Sequence, residues 1–417
     1  MNEERGVSQA GEYQIVTEKQ RRLPDEETIA SIRARYPVEA EHDAVYSRKM
    51  RRRHGPGYQG VTLDLLVEGS KALIESEVGG AVSIENARWL SGGASKLQVL
   101  FELVWRGENG AGERRDTMVL RMEPAASVTE SSRNREFEVL RAVEGIIPAP
   151  KPYWVDADAK YLPYPAMIYD FVTGAAKPSY DSGKVSGLGQ NFGPELRTKL
   201  APDFVRMLAA LHTIDVSSLD GLEHFERPEV GSNASVIRQV NAYRRVWEED
   251  RVEEEPLLEV VYRWLVQNAP PLDHVSIVHG DYRSGNFLFD EDAGRITAWL
   301  DWEGATLGDR HQDLTYAGMP SFSHFAEDDS TLLASGMMSE PDLYAAYEKA
   351  SGLPVDPARL AYYQIFNRYL LCVLTLAASA RASRIGGTHQ DVLVNYVVGV
   401  GYVGLADLHE AFLEEVR

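Results

Sequence analysis

Five polar residues in the last third of the chain have the types and spacing of a group-transfer site. The stretch "VHGDYRSGNFLF", residues 278–289, carries His279, Asp281, Arg283 and Asn286 between apolar flanks. A short polar loop between strands is where a scaffold presents working groups. The fifth residue, Asp301, lies fifteen positions after Asn286, at the end of the apolar run "ITAWLD". Asp281 is placed to accept the proton of an attacking hydroxyl. Asn286 and Asp301 offer an amide and a carboxylate oxygen, hard ligands suited to Mg²⁺ that also holds phosphate. His279 reads as a scaffold residue that bonds backbone and carries no proton.

Elements must bring these groups together. "NFLF" and "ITAWLD", joined by the turn "DEDAGR", read as a β-hairpin, which sets Asn286 near Asp301 at its open end. The four residues between Asp281 and Asn286 match the spacing of the catalytic aspartate and metal-binding asparagine of kinase-type phosphoryl transfer. Upstream, "VSIENARWL", "KLQVLFELVW" and "TMVLRM" are β-type runs separated by "SGGAS" and "RGENGAGERRD". A helix follows over "TESSRNREFEVLRAVEG", with Thr129 or Ser131 as N-cap. "KPYWVDAD" and "YPAMIYDFVTG" complete a unit of five strands and one helix. The texture then becomes helical, apart from the motif itself and the Gly-, Ser- and Pro-rich stretch after Gly174. The fold class is therefore α+β and two-lobed. Residues 1–60 are expected to form a polar N-terminal extension, 61–173 a small β-rich lobe, and 174–417 a helical lobe that carries the polar loop. A hinge is expected near 169–174, and clefts between such units favour ligands.

"HGDYRSGN" followed by "LDWEGATLGDRHQDLTYA" resembles the aminoglycoside phosphotransferase and choline kinase superfamily. The texture is similar to the phosphotransferase-like modules attached to some acyl-CoA dehydrogenases. The resemblance runs over most of residues 83–380. It implies a protein-kinase-like fold and Mg²⁺-dependent transfer of phosphate from ATP or GTP to a hydroxyl of a small molecule. Asp281 is then the base, Asn286 and Asp301 hold the metal, and Asp309 and Asp313 support the loop. The resemblance also implies nucleotide binding for residues 61–173, and the catalytic loop and acceptor site for 174–417.

In the small lobe "LSGGASKLQVLF" fits a hairpin over the phosphates, with Gly92 and Gly93 allowing close approach and Ser91 and Ser95 donating. On the third strand Arg121 stands where kinases carry lysine. Its fork differs from an ammonium point charge. Glu136 is its expected helix partner, with Glu138 as the alternative on another side of the helix. Asp170 and Phe171, in the connector between lobes, are expected beside the purine. Two other readings carry the same fold: a nucleotide-binding protein without transfer, which Arg121 raises, and a protein kinase, against which no "APE" element follows Asp301.

The formal net charge of −20 argues against nucleic acid as a partner. One cysteine, Cys372, precludes an internal disulfide. The N-terminal residues have no apolar core of a signal peptide, and the apolar stretch around Cys372 is broken by Gln364, Asn367 and Arg368. A cytoplasmic protein without membrane attachment is expected. Two charged runs, "SRKMRRRHGPGYQG" and "VWEEDRVEEEP", read as solvated segments. Tyr362, Tyr363, Phe366 and Tyr369 form a stripe that reads as core, and "PSFSHFAEDDSTLLASGMM" as a loop suited to a lid.

Overall fold

The computed structural model describes residues 16–55, 60–90, 96–106, 112–124, 127, 130–180, 188–385 and 391–417. In chain order the first elements are α1 (Glu18–Arg22), α2 (Glu26–Arg35), α3 (Ala40–Arg52), α4 (Leu63–Val78), β1 (Ser83–Trp89), β2 (Leu97–Arg106) and β3 (Glu113–Met122). Next come α5 (Arg133–Ala142), β4 (Pro152–Asp156), β5 (Ala166–Asp170), α6 (Gly193–His212), α7 (Ala234–Asp250) and α8 (Pro256–Gln267). The site region holds β6 (Ser276–Val278), β7 (Phe287–Asp290), β8 (Arg295–Trp299), β9 (Thr306–Gly308) and α9 (His311–Ala317). The chain ends with β10 (His324–Phe325), β11 (Leu332–Leu333), α10 (Glu340–Ser351), α11 (Pro357–Val373), α12 (Ala380–Ile385) and α13 (Asp391–Glu415). A π-helical stretch, Leu374–Ser379, joins α11 to α12.

The small lobe is an antiparallel sheet of order β1-β2-β3-β5-β4. Strand alternation assigns its two faces. Val99, Phe101 and Leu103 of β2, with Met118, Leu120 and Met122 of β3, share a core with Leu66, Leu73 and Ile74 of α4. Leu100 and Val119 point the other way and join Val139 and Leu140 of α5. Arg121 and Glu123 share parity with Val119, so both belong to the face toward α5 and the large lobe. Helix α5 begins later than expected: Ser132 is the N-cap, its side chain accepting from Arg135 N at 3.3 Å.

The chain crosses between lobes after β5. Gly174 there has φ +155°, and a Cβ would lie 2.5 Å from Thr297 Oγ1 and 2.7 Å from Leu288 Cβ. A side chain would push the crossing segment off β7, to which Ala175 is hydrogen-bonded through Phe289.

In the large lobe α9, α7, α8 and α13 surround α11. Tyr362, Tyr363, Phe366 and Tyr369 are all buried there, as expected of a core stripe. The lid-like stretch is instead a folded hairpin, β10–β11, with Phe322, Ser323 and Leu333 buried. Among the described residues no helix is long and apolar enough to cross a membrane.

Both charged runs depart in part from the solvated reading, and for one reason: Lys49 and Arg53 of one meet Glu249 and Asp250 of the other, while Arg51, Glu253 and Glu254 stay exposed. The basic run is the end of α3, and the acidic run is the end of α7. Lys49 Nζ sits 2.9 Å from Glu249 and 3.2 Å from Asp250, and Arg53 also pairs with Asp250. Lys49, Glu248, Glu249 and Asp250 are all buried. Each run compensates the other's charge, so burial, costly for either alone, becomes accessible. Apolar contacts of Val45 and Tyr46 with the α7 and α11 core complete the docking.

Candidate functional site

The pairing of four short strands builds the site. Strand β6 pairs with β9 and β7 with β8. The loop 279–286, between β6 and β7, therefore nests against the loop 300–305, between β8 and β9. The expected hairpin is present, with Phe287 opposite Trp299. Leu300 N donates to Asn286 O at 2.7 Å, which fixes the two loops side by side. Gly280, at φ +81°, lies so close to the other loop that a Cβ would be 2.4 Å from Gly304 O. Only glycine allows that contact.

Beneath the loops is an aromatic floor. Tyr282 stacks on Trp299 at 3.8 Å and donates to Phe204 O at 2.6 Å. His279 packs on Trp302 at 4.5 Å, and its Nε2 bonds Leu300 O at 3.0 Å, a scaffold role. Asp313 holds the loop from below. Its carboxylate accepts from His279 N at 2.7 Å and Gly280 N at 2.9 Å, and bonds His212 Nε2 at 3.1 Å. Asp309 pairs with His311 and Arg359, one shell further out. Asp313→Asn, which replaces one acceptor oxygen by a donor, is expected to lower stability by about 1–3 kcal/mol. Urea unfolding of the two proteins measures it.

Asp281 faces a cavity at the edge of this frame. Its Oδ1 accepts from Arg283 Nε at 2.8 Å, and the Arg283 guanidinium lies 4.7 Å over the Phe322 ring. The buried Tyr316 hydroxyl is hydrogen-bonded to Asp281; burial and that carboxylate push its pKa well up. Asn286 Nδ2 donates to Asp281 O at 2.9 Å, which leaves the amide oxygen for a ligand. Asp301 has φ 63° and ψ 53°, a left-handed conformation uncommon outside glycine, with its side chain one-third exposed. Sparsely populated backbone of this kind recurs at ligand clamps. Among the described residues no group of three or more His, Cys, Asp or Glu side chains forms a metal cage. Two oxygen donors suit Mg²⁺, which keeps waters and phosphate oxygens as its other ligands.

The cleft face of the sheet supplies the ions opposite. Arg121 Nε lies 3.2 Å from Glu136 Oε1, the expected partner; Glu138 instead bonds His224. The other edge of Arg121 pairs with Asp301, and lies 3.2 Å from Glu303 Oε2. Burial would lower the Arg121 pKa, but Glu136, Asp301 and Glu303 hold it well above its ordinary value. Next to it Lys96 and Glu123 extend the β2–β3 register by one pair, Nζ to Oε2 3.0 Å. Glu303 gathers Lys96 (3.2 Å), Arg121 and Arg133 (3.4 Å) from the small lobe. Burial would raise the Glu303 carboxyl, but those three cations hold it well below the carboxylate range.

Of the other expected site residues, Ser91, Gly92, Gly93 and Ser95 lie outside the described residues. Asp170 turns its carboxylate to Lys151 N (2.6 Å), and Phe171 is exposed, its N–H donating to Thr117 O at 2.9 Å. Sequence reasoning missed Lys96, Glu123, Arg133, Glu303 and Tyr316. Parity with Arg121 on paired strands points to Lys96 and Glu123, and Glu303 stands two residues after Asp301. Nothing local marks Tyr316.

The model of a phosphotransferase enzyme family (APH) matches residues 89–363. A probable acyl-CoA dehydrogenase, IBR3, of Arabidopsis thaliana is 29% identical over 278 residues, 63% of this chain and 33% of that protein. Acyl-CoA dehydrogenase family member 11 of Homo sapiens is 27% identical over 277 residues, 61% of this chain and 34% of the relative. The chain thus spans about one third of the length of these relatives. Among solved structures, a putative aminoglycoside phosphotransferase from Ralstonia eutropha superposes with TM-score 0.56 at 23% identity, covering 82% of this chain and 98% of that one. The gentamicin complex of APH(2")-IIa gives TM-score 0.51 at 14% identity, covering 84% and 97%. Both likenesses are of fold.

Proposed function

Since the chain belongs to the phosphotransferase enzyme family, we propose that it moves the γ-phosphate of ATP or GTP to a hydroxyl of a small molecule. One observation carries this reading. Asp281 and Asp301 border one cavity of about 200 Å³, with Asn286 beside them on the nested loop. In this reading Asp281 takes the hydroxyl proton, with Tyr316 and Arg283 holding its carboxylate in place. Asn286 and Asp301 would hold Mg²⁺, which supplies charge neutralisation at the phosphates. Arg121, steadied by Glu136, would turn its other edge from Asp301 to phosphate oxygens, a charge-assisted contact. Ser91, Gly92, Gly93 and Ser95 would cover the phosphates, and Asp170 and Phe171 would border the base through the connector. The names of the relatives add hydroxyacyl thioesters to the acceptors worth screening.

The pairing of Arg121 with Asp301 also favours a second reading, nucleotide binding without transfer. Thermal melts with ATP or GTP, with and without Mg²⁺, together with phosphate-transfer assays over an acceptor panel, separate the two. A ligand at about 100 times its dissociation constant stabilises by about 2.7 kcal/mol. The Mg²⁺-dependent part of that shift is expected to vanish in Asp301→Ala. An equal shift in Asp301→Ala removes the metal role; a shift with no transfer to any acceptor favours the second reading. Arg121→Lys is expected to weaken nucleotide binding about tenfold, as a point charge replaces the fork. Nucleotide titration of wild type and Arg121→Lys measures this, and unchanged affinity removes Arg121 from the phosphates.

A further inference from the structure

The cavity at Asp281 has a wall that lies outside the family-matched span of 89–363. His42, Tyr46 and Lys49 of α3 line it, facing Tyr243 and Val246 of α7 and Leu374 after α11. Helix α3 is thus part of the cavity that holds the transfer chemistry, although it precedes that span by many residues.

The charges around this wall are already matched. Asp250 is met by Lys49, Arg53 and Arg381. Glu130 is met by Arg52, and Glu303 by Lys96, Arg121 and Arg133. Among the described residues, Asp250 is the carboxylate that α3 and α7 contribute to the lining, and it is already paired. His42 stacks on Tyr46, ring centroids 5.8 Å apart and 14° from parallel, and makes no hydrogen bond to another described residue. Burial, with Arg135 and Arg245 nearby, pushes its pKa well down, so a neutral imidazole faces the cavity at physiological pH. The cavity lining combines an apolar and aromatic patch, Tyr46, Tyr243, Val246, Leu370 and Leu374, with the polar Glu130, Ser131, Gln239 and Thr306.

We infer that α3 is an acceptor-selecting wall: it favours an uncharged alcohol with an apolar body, and His42 is its specificity-determining residue. The acceptor's hydroxyl lies at Asp281 and its body against Tyr46 and Tyr243. A polar group on that body bonds the imidazole, which has no hydrogen-bond partner among the described residues. A polycation would enter beside Lys49, Arg135 and Arg245 and find no uncommitted carboxylate on that wall.

The inference rests on the phosphotransferase reading, and the test separates the two. The full chain with Mg²⁺ and ATP is assayed against hydroxylated medium-chain and alicyclic alcohols, and against gentamicin as the polycation. His42→Ala and His42→Gln are compared on the best acceptor, with melting temperatures as a folding control and Tyr46→Phe as a variant that keeps the stack. Alcohols are expected to be phosphorylated in preference to gentamicin. His42→Ala is expected to raise the acceptor KM about tenfold, the worth of one hydrogen bond. The KM for ATP should stay put, and His42→Gln should recover part of the loss. A merely structural His42 would lower the melting temperature and leave the acceptor KM unmoved; that result overturns the inference while the phosphotransferase reading survives. Turnover of gentamicin as fast as of the alcohols overturns it too. Nucleotide binding with no transfer to either class overturns both.

Discussion

Asp281→Asn is expected to bind nucleotide and Mg²⁺ as the parent does and to lose about 10²–10⁴-fold in turnover, the usual worth of a general base. The amide keeps the shape that Arg283 and Tyr316 grip, so the loop should hold its course. What disappears is the oxygen able to take a proton from the acceptor hydroxyl. Single-turnover transfer to an active acceptor, with nucleotide affinity measured in parallel, gives both numbers. A rate within threefold of the parent would remove Asp281 from the base role. The two measurements must be read together, because Asn286 donates to the backbone carbonyl of residue 281. A shifted loop would disturb the metal ligands and weaken nucleotide binding, which a missing base would not.

The second large effect is on stability. Asp250→Ala is expected to cost about 3–5 kcal/mol, because it strands Lys49, Arg53 and Arg381 in a buried site without their carboxylate. Urea unfolding measures it, and a loss under 1 kcal/mol would mean that Glu249 alone compensates the cluster. The effect carries a pH signature. Burial would raise the Asp250 carboxyl, but Arg381, Lys49 and Arg53 hold it well below the carboxylate range in the folded chain. The unfolded chain protonates it near its ordinary value, about 3.9. A depressed folded pKa stabilises fully above the unfolded value, and that contribution is lost as pH falls toward the folded one. The gap between parent and Asp250→Ala should therefore be constant between pH 7 and 5 and narrow below about 4.

These residues also show how far the chain could be read without its structure. The strands, α5, the β7–β8 hairpin and the scaffold role of His279 follow local rules of period, turn and spacing. The pairing of Arg121 with Glu136 and the support given by Asp313 follow from the resemblance to kinases and their relatives. The charged runs of α3 and α7 were misread because each looks solvated when taken alone. Their burial is a property of two segments about 200 residues apart, and composition does not reveal such a match. Tyr316 is hidden for the same reason: α9 brings it under Asp281, and no spacing announces it. Lys96 is an intermediate case. It stands three positions after Gly93 in the sequence, and once β2 and β3 are paired in register it must fall opposite Glu123, on the face of Arg121.

The cluster around Glu303 has a consequence for what may enter the cleft. Three cations, Lys96, Arg121 and Arg133, face four carboxylates, Glu123, Glu136, Asp301 and Glu303. The formal sum is one negative charge in excess before any nucleotide arrives. A bare triphosphate would add several more to a region that already repels it, and each of these cations would have to leave a carboxylate to greet it. A triphosphate that travels with a divalent ion would arrive with about half its charge neutralised, and its ion would meet Asp301 as Arg121 is drawn away. Under the proposed function, metal and nucleotide would enter as one body: the cleft would act as an ion exchanger that trades an internal cation for an external one.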